Sequence, residues 1–231
     1  MDLVVLEDDT AAARAAAELL AAWLTAVVEA KGSATIAVSG GRTPWLLFAD
    51  LAGMAVPWEA ITMFQVDERL APDGDPERNL THLEAALAGA DVRIVAMEAA
   101  SADPEAAAER YAALLPEHFD VIHLGLGPDG HTASLVPGDP VLDVDDRMVA
   151  LTTHPYQGCR RMTLTYPALR RADRQLWVVT GAEKRPALAQ LEAGDPTIPA
   201  GRLVTTDATI VVDEAATAQM SADKATTEEE N

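Results

Sequence analysis

Short apolar runs alternate with longer amphipathic stretches along the chain, and the alternation predicts strand–helix–strand units. Leu3–Leu6 (LVVL), Thr35–Val38, Ile61–Val66 (ITMFQV), Val92–Met97, Phe119–Leu126, Leu176–Thr180 (LWVVT) and Thr209–Val212 (TIVV) read as strands. Runs that are apolar at nearly every position belong to a parallel sheet covered on both faces. Between them, helical periodicity predicts a long Ala-rich helix from a cap at Asp8, Asp9 or Thr10 to about Lys31. Leu19, Leu20, Trp23, Leu24, Val27 and Val28 form its apolar face, and Gly32 ends it. Further helices are predicted from Trp45 to about Leu51, from Asn79 to about Ala88 and from Asp103-Pro104 to about Leu115. After Pro137 the pattern is less regular, with strands at Met148–Thr152 and Met162–Thr165 around a polar loop. The expected fold is α/β: one doubly wound domain over residues 1–217, its mostly parallel sheet flanked by helices on both faces. Residues 218–231 are expected to be an acidic, disordered tail.

The strand ends carry the chemistry. In open α/β sheets ligands bind past the carboxyl ends of the strands. The run VIHLGL stops at Gly127-Pro128-Asp129-Gly130, a tight turn that delivers Asp129, His131, Thr132 and Ser134 to such an end. The second strand runs into Ser39-Gly40-Gly41-Arg42-Thr43-Pro44, where two glycines and a Pro at a helix start suit close approach of an anion to backbone N–H groups. The loop is neither a Walker A nor a GxGxxG sequence. ITMFQV ends in Asp67-Glu68-Arg69, three charges in a row, with Arg69 able to hold an oxyanion. Arg161 opens MTLT, and Lys184 lies in the first turn of the helix after LWVVT. A cation there opposes the helix dipole, and an anionic ligand would explain it. His82 and His154 read as surface residues, and a thiol role for Cys159 has no second feature behind it. Taken together, the strand ends predict a site for a small anion with a His at its centre.

Charge sharpens that expectation. The 231 residues carry 37 acids against 17 bases, a net −20, which opposes nucleic-acid binding. Positive charge for an anionic substrate must therefore be gathered locally, and the chain has only the lysines Lys31, Lys184 and Lys224. No run of 18 residues is both apolar and uncharged, so no membrane span is expected, and the acidic start does not read as a signal peptide. One cysteine fits a reducing cytoplasm. A monomer or weak homo-oligomer is the expectation.

At these same residues the chain resembles the glucosamine-6-phosphate isomerase/6-phosphogluconolactonase superfamily, in its lactonase branch. The matches are SGGRTP (39–44), FQVDER (64–69), LGLGPDGHTASLVPG (124–138), RMTLT (161–165) and GAEKRPAL (181–188), in the family's order. The resemblance implies hydrolysis of 6-phospho-D-glucono-1,5-lactone to 6-phosphogluconate, the second step of the oxidative pentose phosphate pathway, with no cofactor and no metal. It implies His131 as general base, Asp129 orienting it and Asp67 lining the crevice. Ser39, Gly40, Gly41, Arg42, Thr43, Arg69, Arg161 and Lys184 would hold the phosphorylated substrate, and Ser134 would be structural. Arg42 departs from the usual SGGSTP, and Tyr156–Arg160 departs from a more proline-rich loop. The rivals are the deaminase/isomerase branch, which carries a Glu five residues after the motif His where this chain has Val136, and a non-catalytic sugar-phosphate sensor.

Overall fold

The computed structural model describes residues 1–205 and 207–217; the expected acidic tail lies outside them. In chain order the elements are β1 (Asp2–Leu6), α1 (Asp9–Lys31), β2 (Ala34–Val38), α2 (Arg42–Ala52), β3 (Ile61–Gln65), β4 (Asp67–Arg69), α3 (Asn79–Ala86), β5 (Arg93–Val95) and α4 (Pro104–Ala112). They continue with β6 (Phe119–Gly125), β7 (Val149–Leu151), β8 (Arg161–Leu164), α5 (Tyr166–Leu169), β9 (Ala172–Val179), α6 (Arg185–Glu192), β10 (Ala208–Asp213) and α7 (Glu214–Thr217). Seven strands form one parallel sheet in the order β1-β10-β9-β6-β2-β3-β5.

Alternate residues of each strand feed two apolar layers, which is why the strands are apolar throughout. Ile36, Val38, Val121, Leu176 and Val211 pack with Leu20 and Leu24 of α1 and Leu47, Phe48 and Leu51 of α2. On the other face Ala37, Ile122, Leu124, Trp177 and Val212 pack with α4, α5 and α6. This is the doubly wound α/β class expected from the pattern.

Asp8 caps α1 by accepting from Ala11 N at 2.8 Å, and Gly32 ends it in the left-handed region at φ 81°. By length and a mean hydropathy of 1.5 alone, α1 is long and apolar enough to cross a membrane, a test that a buried core helix also passes. In the fold Ala12, Ala13, Ala16, Ala17, Leu20 and Leu24 are buried against the sheet and α2.

Three strands depart from the expected single sheet. Asp67–Arg69 is not the frayed end of β3 but a separate strand, and β4-β8-β7 form a small antiparallel sheet. Its Val149, Ala150, Met162 and Leu164 join the second apolar layer. A two-way pattern of apolar runs does not say which sheet a run enters, so the sequence merged them. α2 also begins at Arg42, three residues before the expected Trp45, which places Arg42 and Thr43 in its first turn beside Pro44.

Candidate active site

The sheet order reverses between β2 and β6: from β2 the chain winds outward through β3 and β5, and from β6 through β9 and β10. The loops after β2 and β6 diverge there, opening the crevice in which doubly wound folds bind ligands. A cavity of about 470 Å³ occupies it. Ser39, Gly40, Gly41, Arg42, Thr43, Asp67, Arg69, His131, Arg161 and Lys184, all anticipated from sequence, line it. Asp129 does not line the cavity; it bonds the side of His131 that carries Nδ1.

The loop after β6 is shaped around the imidazole. Gly130 turns at φ 80°, and Gly130 N donates to Gly127 O at 3.0 Å. A Cβ on Gly127 would stand 2.0 Å from His131 Nδ1, so only glycine admits the ring here. Asp129 Oδ1 lies 2.5 Å from His131 Nδ1 and also accepts from His131 N at 3.2 Å. Burial works to raise the Asp129 carboxyl, but the hydrogen bonds and charge of His131 outweigh it and hold it at about 2. An ionised Asp129 fixes the proton of a neutral imidazole on Nδ1, leaving Nε2 as a lone-pair acceptor.

The small sheet supplies the cations. Cross-strand register sets Arg69 directly opposite Arg161. Like charges so paired repel, and an anion between them removes the cost. Arg69 Nη1 donates to Glu77 O at 2.7 Å and Asn79 Oδ1 at 3.2 Å. Arg161, almost fully buried, stands 3.7 Å from Asp67. Asp67 also accepts from Ser134 Oγ at 2.6 Å and Asn79 Nδ2 at 3.3 Å. Burial pushes the Asp67 carboxyl upward, opposed by the charge of Arg161 and the Ser134 hydroxyl. Ser134 is thus engaged in holding Asp67, as a structural serine is. Glu68, fully buried, accepts from Asn79 N and Leu80 N at 2.8 Å each and caps α3. The expected Asn79 cap is corrected: Arg78 is the flanking residue, and Asn79 turns its side chain to Asp67 and Arg69.

Lys184 precedes α6 as its N-cap residue, after Gly181 turns the chain at φ 100°. Burial pushes the Lys184 ammonium down, while Glu183 and Asp129 oppose the fall. On the β2 side, Thr43 Oγ1 and Thr180 Oγ1 are 2.6 Å apart, and a Cβ on Gly40 would stand 2.3 Å from Asn79 Oδ1. Arg42 lines the cavity, and its exposed guanidinium pairs with Asp9 at 2.8 Å.

Three buried polar atoms of lining residues, Ser39 Oγ, Thr132 Oγ1 and Arg161 Nε, have no protein partner among the described residues. Buried polar groups are normally satisfied, so a bound ligand is one partner these atoms are free to take. Among the described residues Ala133 and Gln157 are the non-glycine residues in the left-handed region, at φ 49° and 51°, and both line the cavity. Strain of this kind collects at functional sites. Sequence reasoning missed Asn79, Thr180 and Tyr156: Asn79 and Tyr156 lie outside the strand-end motifs, and Thr180 reads only as the last residue of LWVVT. Among the described residues no three His, Cys, Asp or Glu side chains cluster so as to hold a metal ion.

A doubly wound sheet with a cationic crevice and an Asp-held His at its switch point defines an α/β protein built to act on a small anion. The chain belongs to the glucosamine-6-phosphate isomerase/6-phosphogluconolactonase family, whose model matches residues 7–212. It is 36% identical over 203 residues to a 6-phosphogluconolactonase of Nostoc sp., covering 82% of this chain and 84% of that one. It is 39% identical over 184 residues to one of Synechocystis sp. (74% and 76% covered) and 36% over 225 residues to one of Streptomyces coelicolor (86% of each). The solved 6-phosphogluconolactonase of Thermotoga maritima superposes with a TM-score of 0.83 at 26% identity, covering 92% of this chain and 98% of that one. A monomeric glucosamine-6-phosphate deaminase superposes equally well, 0.83 at 20% identity, so the fold alone does not separate the branches.

Proposed function

We propose that the chain hydrolyses 6-phospho-D-glucono-1,5-lactone to 6-phosphogluconate. The carrying observation is one cavity that holds His131, bonded to Asp129, together with Arg69, Arg161 and Lys184. The relatives named 6-phosphogluconolactonase supply the substrate class. In this reading the phosphate lies against the Gly40-Gly41 amides with Arg69 and Lys184 supplying charge. Its arrival restores to Lys184 the favourable environment that burial removed. His131 Nε2 accepts a proton from water as the water oxygen bonds to the lactone carbonyl carbon. As the tetrahedral intermediate collapses, the ring C–O bond breaks and the imidazolium returns the proton to the departing ring oxygen. General base catalysis of this kind contributes about 10²–10⁴-fold. No cofactor or metal enters the scheme.

The deaminase reading requires a carboxylate five residues after the motif His. Val136 stands there, cannot move a proton, and does not line the cavity. The reading places the protein in the cytoplasm, acting on a diffusible substrate as a monomer or weak homo-oligomer.

A coupled assay tests the proposal: lactone is generated in situ and acid release followed with and without protein. Release far above the spontaneous rate, with phosphorylated lactone preferred over free gluconolactone, is the expected result. Release at the spontaneous rate refutes it.

A further inference from the structure

The segment between β7 and β8 ends in a tight turn, with Tyr156 N donating to Cys159 O at 3.0 Å and Gln157 and Gly158 at φ 51° and 90°. Leu70 N, next to β4, donates to Arg160 O at 3.0 Å and ties the segment to the small sheet. The turn sets the edge of the Tyr156 ring against His131, centroids 5.0 Å apart and planes at 65°. The Tyr156 hydroxyl lies 3.3 Å from His131 Nδ1 and 3.4 Å from Asp129 Oδ2. The Arg161 guanidinium sits over the same ring at 5.3 Å. Neither Tyr156 nor Asp129 lines the cavity.

The bonds divide in one way. Asp129 Oδ1 takes the imidazole Nδ1–H, which leaves Oδ2 for the phenol. Burial and the nearby Asp129 charge raise the Tyr156 phenol, so its oxygen keeps its proton and donates it. We propose that Tyr156 is a positioning residue for His131: it clamps the second oxygen of Asp129, holds the imidazole with Nε2 towards the cavity, and tempers its basicity. The proposal rests on His131 being the base. A carboxylate that accepts two hydrogen bonds gives less of its charge to either donor. Removing the phenol hydroxyl therefore hands more of Asp129 to the imidazolium and raises the pH at which His131 titrates. The ring stack carries the coupling onward, because Arg161 rests on Tyr156 and faces Asp67.

Asp129 and Tyr156 touch His131. Lys184 and Glu183 before α6, Arg161 of β8, and Asp67 and Arg69 of β4 share the cavity with it. All but Tyr156 are unchanged in Tyr156→Phe, which keeps the ring and removes only the hydroxyl.

The test uses the full chain, labelled with ¹⁵N-histidine and free of ligand, with the His131 signals assigned by their loss in His131→Asn. In Tyr156→Phe the His131 midpoint is expected to rise by about 0.3–1 pH unit. The acid limb of kcat should move with it, kcat at neutral pH should fall about three- to tenfold, and KM should stay within about twofold. A His131 midpoint equal to that of the parent, or an unchanged kcat, overturns the proposal. The NMR titration needs no turnover. An inactive parent whose His131 midpoint still moves in Tyr156→Phe would instead refute the lactonase reading.

Discussion

At the residue scale the proposed site divides into an imidazole assigned to move a proton and cations assigned to hold a phosphate. Lys184→Ala and Arg69→Ala should therefore act mainly on binding, raising KM for the phosphorylated lactone about tenfold or more while kcat changes less. Steady-state kinetics check this, and an unchanged KM in both variants means that the phosphate is held elsewhere. Most of these residues were legible because each ends an apolar run: His131 and Asp129 after β6, Arg69 after β3, Lys184 after β9. Asn79 and Tyr156 were not. Asn79 reads as an ordinary helix cap, and its side chain turns to Asp67 only because Glu68 takes over the capping. Tyr156 lies in a polar loop whose fold depends on Gln157 in the left-handed region, a conformation that no residue type there announces.

At the scale of elements, one strand was misassigned, and it matters for stability. Asp67-Glu68-Arg69 looks in sequence like a solvated strand end. In the fold Glu68 is fully buried, capping α3 and accepting from Arg69 N at 2.7 Å and Gln65 Nε2 at 2.9 Å. Arg78, equally buried, stands 3.4 Å from it. Arg78 also pairs with Asp73 at 2.5 Å and donates to Met97 O at 3.2 Å. Neutralising Glu68 thus weakens its environment without stranding the charge, and the cost falls below the roughly 3–5 kcal/mol of a broken isolated pair. Glu68→Gln should therefore lower unfolding free energy by about 1–3 kcal/mol in a denaturant titration, through the weakened charge-assisted bonds it accepts from Arg69, Asn79 and Leu80; no measurable loss would show that they contribute little. Strand and helix existence followed from apolar periodicity, whereas the second sheet did not, because antiparallel pairing of β4 with β8 joins segments far apart in sequence.

For the whole molecule, doubly wound topology converts separate strand ends into one crevice, so the convergence of the motifs was a consequence of fold class. The core also sets a pH dependence. His123 of β6 is fully buried against Phe48 and beneath the loop after β2, and burial pushes its pKa down to about 3. An unfolded His takes up a proton near pH 6.5, and the folded one does not until far lower. Stability from His123 is thus complete above about pH 6.5 and is lost as pH falls towards 3. Between pH 7 and 5 the loss is about 2 kcal/mol, and His123→Leu should remove that part of the slope. Denaturant unfolding at the two pH values measures it, and equal losses in parent and variant would contradict the assignment. The carboxylates with lowered values, Asp129 among them, act in a more acidic window.

The most direct measurement is lactone hydrolysis by His131→Asn beside the parent, with 6-phosphogluconate binding measured on both. The account predicts that turnover drops at least about a hundredfold while binding of the acid stays within a few-fold, since the cations are untouched. Parental turnover in His131→Asn would contradict it.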